Sequence, residues 1–279
     1  MSARLAAACA AALGCGSSGG STIDAPRLVG GPDEHHPDRV GYIELIEGFS
    51  GVYALIHDRP EQPPPLLTAR EGDCAIYLRA QIPLCDPPCT GTTACTAPST
   101  CTPWPQNASA GAIEVTGLRE PLTFTTGQFG YVPEPAPPLD LFDAGAAIHI
   151  EAAGDVTPSF VADLTGVARL TGSTQNLTLD DEEDARIEWT AAGDARIAIA
   201  LVTGWHGAPY EAMLRCETDD DGELMIPRSL IADFPRQPEG GLEQHPSWMM
   251  RFDRAIVMVP AGAIEVVVGS QANLYFTHP

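Results

Sequence analysis

From Val40 onward the sequence is a series of short apolar runs, and this pattern constrains the fold more than any other feature. Each run is about four to eight residues long, rich in Ile, Val, Leu and aromatics, and bounded by Gly, Pro or Asp, which is typical of β-strands. The runs cover residues 41–47, 52–57, 75–82, 112–116, 147–153, 186–190, 196–203, 210–216, 223–226, 256–259 and 264–268. Helical periodicity is confined to residues 228–234, between Pro227 and Pro235, which predicts one short helix.

Composition agrees with this pattern, because the chain contains 26 prolines and 27 glycines. Many short strands separated by turn residues predict an all-β fold of β-sandwich type. In Arg186-Ile187-Glu188-Trp189 the apolar residues alternate with the charged ones. Because successive strand side chains point to opposite faces, Ile187 and Trp189 should share a buried face. We therefore expect Trp189 in the core.

Two proline-rich stretches, residues 60–65 and 133–138, interrupt the strand pattern. The second suggests an N-terminal β lobe over residues 40–131, which includes a cysteine-rich loop at 82–106, and a C-terminal β-sandwich lobe over residues 132–279. The length of the chain is equally compatible with a single domain formed from both parts. The sequence therefore predicts either two packed lobes or one large sandwich.

The first 14 residues have the features of an export signal, with one positive charge at Arg4 followed by an uninterrupted small apolar run. That run is too short to span a bilayer. Gly14-Cys15 comes next and resembles the lipobox of bacterial lipoproteins, which implies acylation of Cys15. Residues 15–39 are rich in Gly, Ser and Pro and are predicted to form a flexible tether. An ordinary signal peptide cut nearby is the alternative.

Charge excludes several classes of function. Removal of Arg4 with the signal leaves 14 basic against 37 acidic residues, a formal charge of −23. Such a surface repels phosphate backbones, so no nucleic-acid partner is expected. The chain also contains no lysine. This excludes a Walker-type phosphate loop, a Schiff-base lysine and a Ser-x-x-Lys nucleophile, because each requires an ammonium group.

Four cysteines lie within the 17 residues from Cys85 to Cys101, in a segment of Pro, Gly and Thr that cannot bury a core. In an exported protein such a loop is expected to be cross-linked by disulfides. Zinc is the alternative, but it is usually bound by Cys-x-x-Cys pairs or nearby histidines. Neither occurs in this segment.

Cys74 and Cys216 each share a predicted strand face with apolar residues and so point to the core. The six cysteines that follow Cys15 can form three disulfides in 15 different pairings. The most economical pairs Cys74 with Cys216 across the interior and pairs the loop cysteines among themselves, as Cys85 with Cys95 and Cys89 with Cys101. The alternative is that Cys74 and Cys216 are free buried thiols.

The cysteine-rich loop is followed by Ser109-Ala110-Gly111-Ala112-Ile113-Glu114, by Phe142-Asp143-Ala144-Gly145, and by Cys216-Glu217-Thr218-Asp219-Asp220-Asp221-Gly222 leading to Ile226-Pro227. In these motifs the chain resembles uncharacterised cysteine-rich lipoproteins of myxobacterial type. The resemblance implies a lipid-anchored envelope protein with a disulfide-bonded β fold. In bacterial lipoproteins an Asp directly after the acylated cysteine signals retention at the inner membrane. Here that position is Gly16, so the resemblance implies the outer membrane, facing the periplasm or the cell surface. The resemblance implies no active-site residue.

The acidic segment after Cys216 is the candidate metal site. Glu217, Asp219 and Asp221 offer oxygen ligands at alternate positions, as at the start of a calcium loop. The twelfth position, where a bidentate glutamate belongs, is Arg228, which repels a cation. A tight hairpin turn between Cys216 and Glu223 is therefore the favoured interpretation. Apart from Ca²⁺ at this segment, no cofactor is expected.

The remaining candidates are aromatic. Trp205 lies between two predicted strands, and with Tyr210 and Trp248 it could form a platform for a sugar ring. Packing against the sandwich edge is the alternative for Trp205. The sequence does not group an acid, a base and a nucleophile. The leading hypothesis is therefore a non-enzymatic envelope lipoprotein with a structural or binding role. Its expected partner is an envelope polysaccharide or protein. Carbohydrate binding is the alternative, and a glycosidase using two carboxylates is the third.

Overall fold

The computed structural model describes residues 38–48, 51–60, 64–81, 83–193, 195–204, 210–236 and 247–279. Within these ranges the chain forms 18 β-strands and one helix, α1 (Arg228–Asp233). The all-β prediction is therefore confirmed, together with the one short helix. The signal, Cys15 and nearly all of the tether lie outside the described residues. None of the described ranges contains a helix with the length and apolarity needed to cross a membrane.

The largest sheet has nine strands. Its main path is, in spatial order, β2 (Gly51–Ile56), β1 (Arg39–Glu47), β18 (Gly262–Thr277), β17 (Ser247–Val259), β14 (Arg196–Thr203), β15 (Ala212–Asp219), β4 (Cys74–Leu78) and β3 (Leu66–Glu71). The ninth strand, β12 (Asn176–Thr178), pairs in parallel with the end of β18. β1 and β18 are also parallel, whereas the other neighbours in the path are antiparallel.

The centre of this sheet is a long hairpin of β17 and β18, connected by Pro260 and Ala261. Gly262 begins β18 with φ +150°, and a Cβ atom at this position would collide with the backbone carbonyl oxygen of Asp38. Glycine is therefore required where the chain entering β1 crosses the hairpin.

A second sheet has five strands in the order β11 (Phe160–Thr165), β10 (Ala147–Ala152), β7 (Ile113–Thr116), β8 (Leu122–Gly127) and β9 (Gly130–Glu134). Its buried residues pack against those of β1, β2 and β18, as in a sandwich. The predicted division at 131/132 falls inside β9, and strands from both sides of it share the large sheet. Pro133 is compatible with β9, because β9 is an edge strand and an edge strand accepts proline.

A second core covers the other half of the same face of the large sheet. There β4, β14 and β15 pack against α1 and a two-stranded sheet formed by β13 (Ala185–Glu188) and β16 (Glu223–Ile226). Trp189 is buried in this core, as alternation predicts. The fold therefore has one long sheet with two cores on its inner face.

The opposite face of the large sheet is the outer face, and strand alternation assigns its residues. Ile264, Val266 and Val268 of β18 belong to the first core. Val267 lies between them in sequence and so points the other way, where it packs with Phe252 in a small outer cluster.

The structure contains the three disulfides that the sequence favours: Cys74–Cys216, Cys85–Cys95 and Cys89–Cys101. The last two cross-link the segment around the hairpin of β5 (Thr93–Ala97) and β6 (Thr100–Pro103). The first joins directly opposite residues of the neighbouring strands β4 and β15. It therefore lies within one sheet, and the expectation that it crosses the interior is wrong.

Candidate functional site

The outer face of the large sheet contains a pocket of about 240 Å³. Side chains of β1, β15, β17 and β18 line it. In the sheet, β1 and β15 are separated by three strands, β18, β17 and β14. Since residues of both reach the same pocket, the sheet must curl, and its outer face is concave at this place.

One part of the pocket is apolar. Ile46, Met250, Phe252 and Val267 form a buried cluster there, and Trp248 packs against it. Each of these residues belongs to β1, β17 or β18, the three adjacent strands at the pocket floor. The floor therefore offers a ligand an indole ring surrounded by aliphatic and thioether groups.

The guanidinium group of Arg215 stacks on this indole, with 5.0 Å between its central carbon and the Trp248 ring centroid. Arg215 is only 1% exposed, and desolvation by this burial lowers its pKa to about 10. The group is therefore still cationic at neutral pH, and the ring face stabilises its charge.

A chain of ion pairs crosses the outer face beside the apolar part. Arg39 Nη2 lies 3.0 Å from Glu265 Oε2. On the other side of Glu265, Arg254 is 3.5 Å from its Oε1. We refer to the whole series as the charge ladder, which in spatial order contains Glu44, Arg39, Glu265, Arg254, Glu217, Arg196 and Asp219.

Charges alternate in sign along the ladder, with four acidic and three basic groups. Arg215 lies nearby and interacts electrostatically with Glu217 and Glu265. Together these groups form a balanced set, so the pocket has little net charge in a protein that is strongly acidic overall.

Three polar residues of the pocket, Arg39, Glu44 and Gln271, are only partly occupied by contacts within the described part of the chain. The Nε of Arg39 is buried without a partner. The Glu44 carboxylate lies 3.9 Å from Arg39, and burial, together with the nearby Glu265 carboxylate, raises the pKa of this carboxyl. The third residue, Gln271, is half-buried and places a side-chain amide at the pocket. An unsatisfied buried polar group costs free energy, which a ligand can recover.

Of the residues predicted to form an aromatic platform, the structure places Trp248 at the pocket. Trp248 lines the pocket, whereas Tyr210 is not among the lining residues. Trp205 lies outside the described residues.

The predicted calcium ligands belong to other interactions. Glu217 is 1% exposed and accepts hydrogen bonds from Arg254, at 2.9 Å and 3.2 Å. Asp219 pairs with Arg196 at 3.2 Å, and Asp221 accepts a long backbone hydrogen bond from Glu223. The guanidinium groups beside Glu217 oppose a cation. In the described ranges, the sole grouping of possible metal ligands is Cys85, Cys89 and Cys95, whose sulfurs are in disulfides.

The expected hairpin between Cys216 and Glu223 is wrong, because β15 and β16 belong to different sheets. The intervening Asp220 is buried and accepts hydrogen bonds from Trp189 Nε1 at 2.7 Å and from Arg251 Nε at 2.8 Å. These bonds draw the turn toward the core, so that β16 leaves the large sheet and pairs with β13.

Most pocket residues were not singled out by sequence reasoning. Arg215 gave the clearest signal, since it is a lone arginine inside the apolar run Ala212-Met213-Leu214-Arg215-Cys216. A charge in such a run is rarely buried unless it has a partner or a ligand. Comparisons with protein-family models, with curated proteins and with solved structures found no match to the chain.

Proposed function

We propose that this is a non-enzymatic cell-envelope lipoprotein whose folded body binds a small ligand in the outer-face pocket. The observation that carries the proposal is the combination, in one concavity, of an indole with polar side chains, one of which, Arg39, has a buried Nε without a hydrogen-bond partner among the described residues. Ligand sites typically combine an apolar surface with a few converging polar groups. At about 240 Å³ the pocket suits a compact molecule.

The envelope location is supported by two independent features. Three disulfides favour an oxidising compartment, such as the bacterial periplasm or the cell surface. The signal-like segment ending at Gly14-Cys15 supplies the export signal and the site for a lipid. We extend the proposal to the outer membrane, because Gly16 follows the cysteine.

A glycosidase is less well supported than a binding protein. Glu44 and Glu265 are the pair of pocket carboxylates that such an enzyme would use. Arg39 contacts both, at 3.9 Å and 3.0 Å from its Nη2. A guanidinium in this position pairs with the carboxylates and occupies space that a scissile bond would need between them.

The test is a thermal-shift screen of the full-length protein in detergent with panels of sugars, amino acids, organic acids and nucleotides. A ligand that binds the folded state raises its Tm. The Gln271→Trp variant, which places a bulky ring at the pocket, should abolish the shift. Tyr275→Trp, on the same strand but 59% exposed and outside the pocket lining, should preserve it.

An equal shift in the Gln271→Trp variant would place binding elsewhere and contradict the proposal, and so would the absence of any shift. Mass spectrometry of the recovered ligand decides between binding and catalysis. An unchanged ligand supports a binding protein, whereas a hydrolysed one supports the glycosidase alternative.

A further inference from the structure

The chemistry of the pocket also indicates which class of ligand it takes, and this step rests on the binding function proposed above. Its charged groups already have partners of opposite sign. Arg39 and Arg254 flank Glu265 at 3.0 Å and 3.5 Å. A charged ligand would have to compete with these internal pairs and leave one of their members uncompensated.

The polar groups of the pocket can use both donors and acceptors from a ligand. Arg39 Nε is a buried donor without a partner in the described ranges, the Glu44 carboxyl offers acceptor oxygens, and the Gln271 amide is both donor and acceptor. A hydroxyl group donates one hydrogen bond and accepts others, so it can satisfy each of these groups. Several hydroxyls on one small molecule would therefore match the polar side of the pocket.

The opposite side of the pocket is apolar. Trp248 presents an indole, and Arg215 stacks on that ring at 5.0 Å. The neighbouring Met250 and Phe252 extend the apolar surface. A pyranose ring has C–H groups on one face and hydroxyls at its edge, and it can therefore contact both sides of the pocket at once.

We propose that the pocket binds an uncharged pyranose sugar, with its C–H groups on the apolar side formed by Trp248, Met250 and Phe252, and its hydroxyls on Glu44, Arg39 and Gln271. An acidic sugar would meet the Glu44 and Glu265 carboxylates and the overall charge of −22. An amino sugar would compete with Arg39 and Arg254 for the same carboxylates. Selectivity for the neutral ring follows from the balanced charge ladder.

The test is isothermal titration calorimetry of the full-length protein in detergent. The neutral probes are the methyl pyranosides of glucose, galactose and mannose, together with N-acetylglucosamine. Glucuronic acid and glucosamine are the charged probes with the glucose ring. At least one neutral probe should bind saturably, and each charged probe should bind at least about tenfold more weakly than the best neutral probe, since an unpaired buried charge is costly.

Two variants locate the site. Trp248→Ala should weaken binding of the neutral sugar by about tenfold or more, because the ring contact is lost. Glu44→Gln, which preserves size but replaces one carboxyl oxygen by an amide NH2, should weaken it about threefold to tenfold. Trp104→Ala is the matched control, because Trp104 is 45% exposed and outside the pocket lining, and it should bind like the parent protein.

The outcomes separate this inference from the binding function itself. Preferential binding of glucuronic acid or glucosamine that Trp248→Ala weakens would leave the pocket as the ligand site but overturn the neutral-sugar assignment. The neutral-sugar assignment is also overturned if no sugar binds while another class of compound gives a thermal shift that the Gln271→Trp variant abolishes. Sugar binding that neither Trp248→Ala nor Glu44→Gln alters would overturn the assignment to this pocket.

Discussion

Arg251 shows how a single buried charge can connect separate parts of a β structure. Its guanidinium donates hydrogen bonds to Asp220 at 2.8 Å and 3.1 Å. It also bonds the backbone carbonyl oxygens of Ala168, Arg169 and Thr190. Both side chains of the ion pair are almost completely buried. The group therefore joins β17, two loops and the turn after β15 by fully satisfied polar contacts.

We expect Arg251→Met to lower the free energy of unfolding by about 3–5 kcal/mol, because it leaves the Asp220 carboxylate buried without its cation. Urea denaturation of the purified protein measures this change. Arg186→Met is the matched control, since Arg186 forms exposed pairs with Glu188 and Glu223. Exposed pairs contribute about 1 kcal/mol or less. A loss of similar size in the two variants would contradict the assigned role of Arg251.

Sequence reasoning at the residue scale succeeded where a local pattern was sufficient. Alternation in one strand placed Trp189 in the core, and two strand faces placed Cys74 and Cys216 inside. It could not identify Glu44 and Glu265 as neighbours, because they come from β1 and β18 at opposite ends of the described chain. Their contact with Arg39 depends on the register of two parallel strands, which no local pattern encodes.

At the scale of elements, β17 and β18 show the limit of pattern reading. Only residues 256–259 and 264–268 were predicted as strands, whereas the hairpin extends from Ser247 to Thr277. The first half of β17 is largely buried on both faces and carries Arg251 among apolar residues, and Arg254 follows shortly after it. Period-two alternation is absent there, because ion pairing within the protein neutralises charges that otherwise mark the solvent side.

The disulfides allow a comparison between elements. Cys74–Cys216 spans a sequence separation of 142, and Cys85–Cys95 spans 10. On the chain-entropy model, their removal should lower the free energy of unfolding by about 5 and about 3 kcal/mol respectively. We expect the Cys74→Ala/Cys216→Ala double variant to be less stable in urea denaturation than the Cys85→Ala/Cys95→Ala double variant. The reverse order would show that the large sheet gains little from this cross-link.

At the scale of the whole molecule, the sequence predicted the all-β class but not how the strands are distributed. The proline-rich segment at 133–138 suggested two lobes, yet the large sheet combines β1 to β4 with β14, β15, β17 and β18. Non-local pairing of this kind is decided by which apolar faces meet in the folded chain, and composition does not report it. The outer-face pocket forms only when these strands assemble, so the sequence did not predict it either.

The proposed attachment of the whole molecule to a membrane depends on one side chain. Cys15→Ser should transfer the protein from the membrane fraction to the soluble fraction of cells, because the thioether-linked lipid can no longer form. Cys9→Ser changes a cysteine within the leader and should leave the fractionation unchanged. Immunoblots of separated fractions measure both variants. Equal membrane association of all three proteins would rule out anchoring at Cys15.

The position of β18 in the large sheet has a consequence for the order of events during biosynthesis. This strand pairs with β1, β12 and β17 and contributes to both cores, yet it is formed by residues 262–277. Neither core can close until that segment has emerged, whether from the ribosome or from a secretion channel. The strands from β1 to β17 therefore remain without a completed core until β18 pairs with its neighbours, so we expect the closure of both cores to be a late, non-local step of folding.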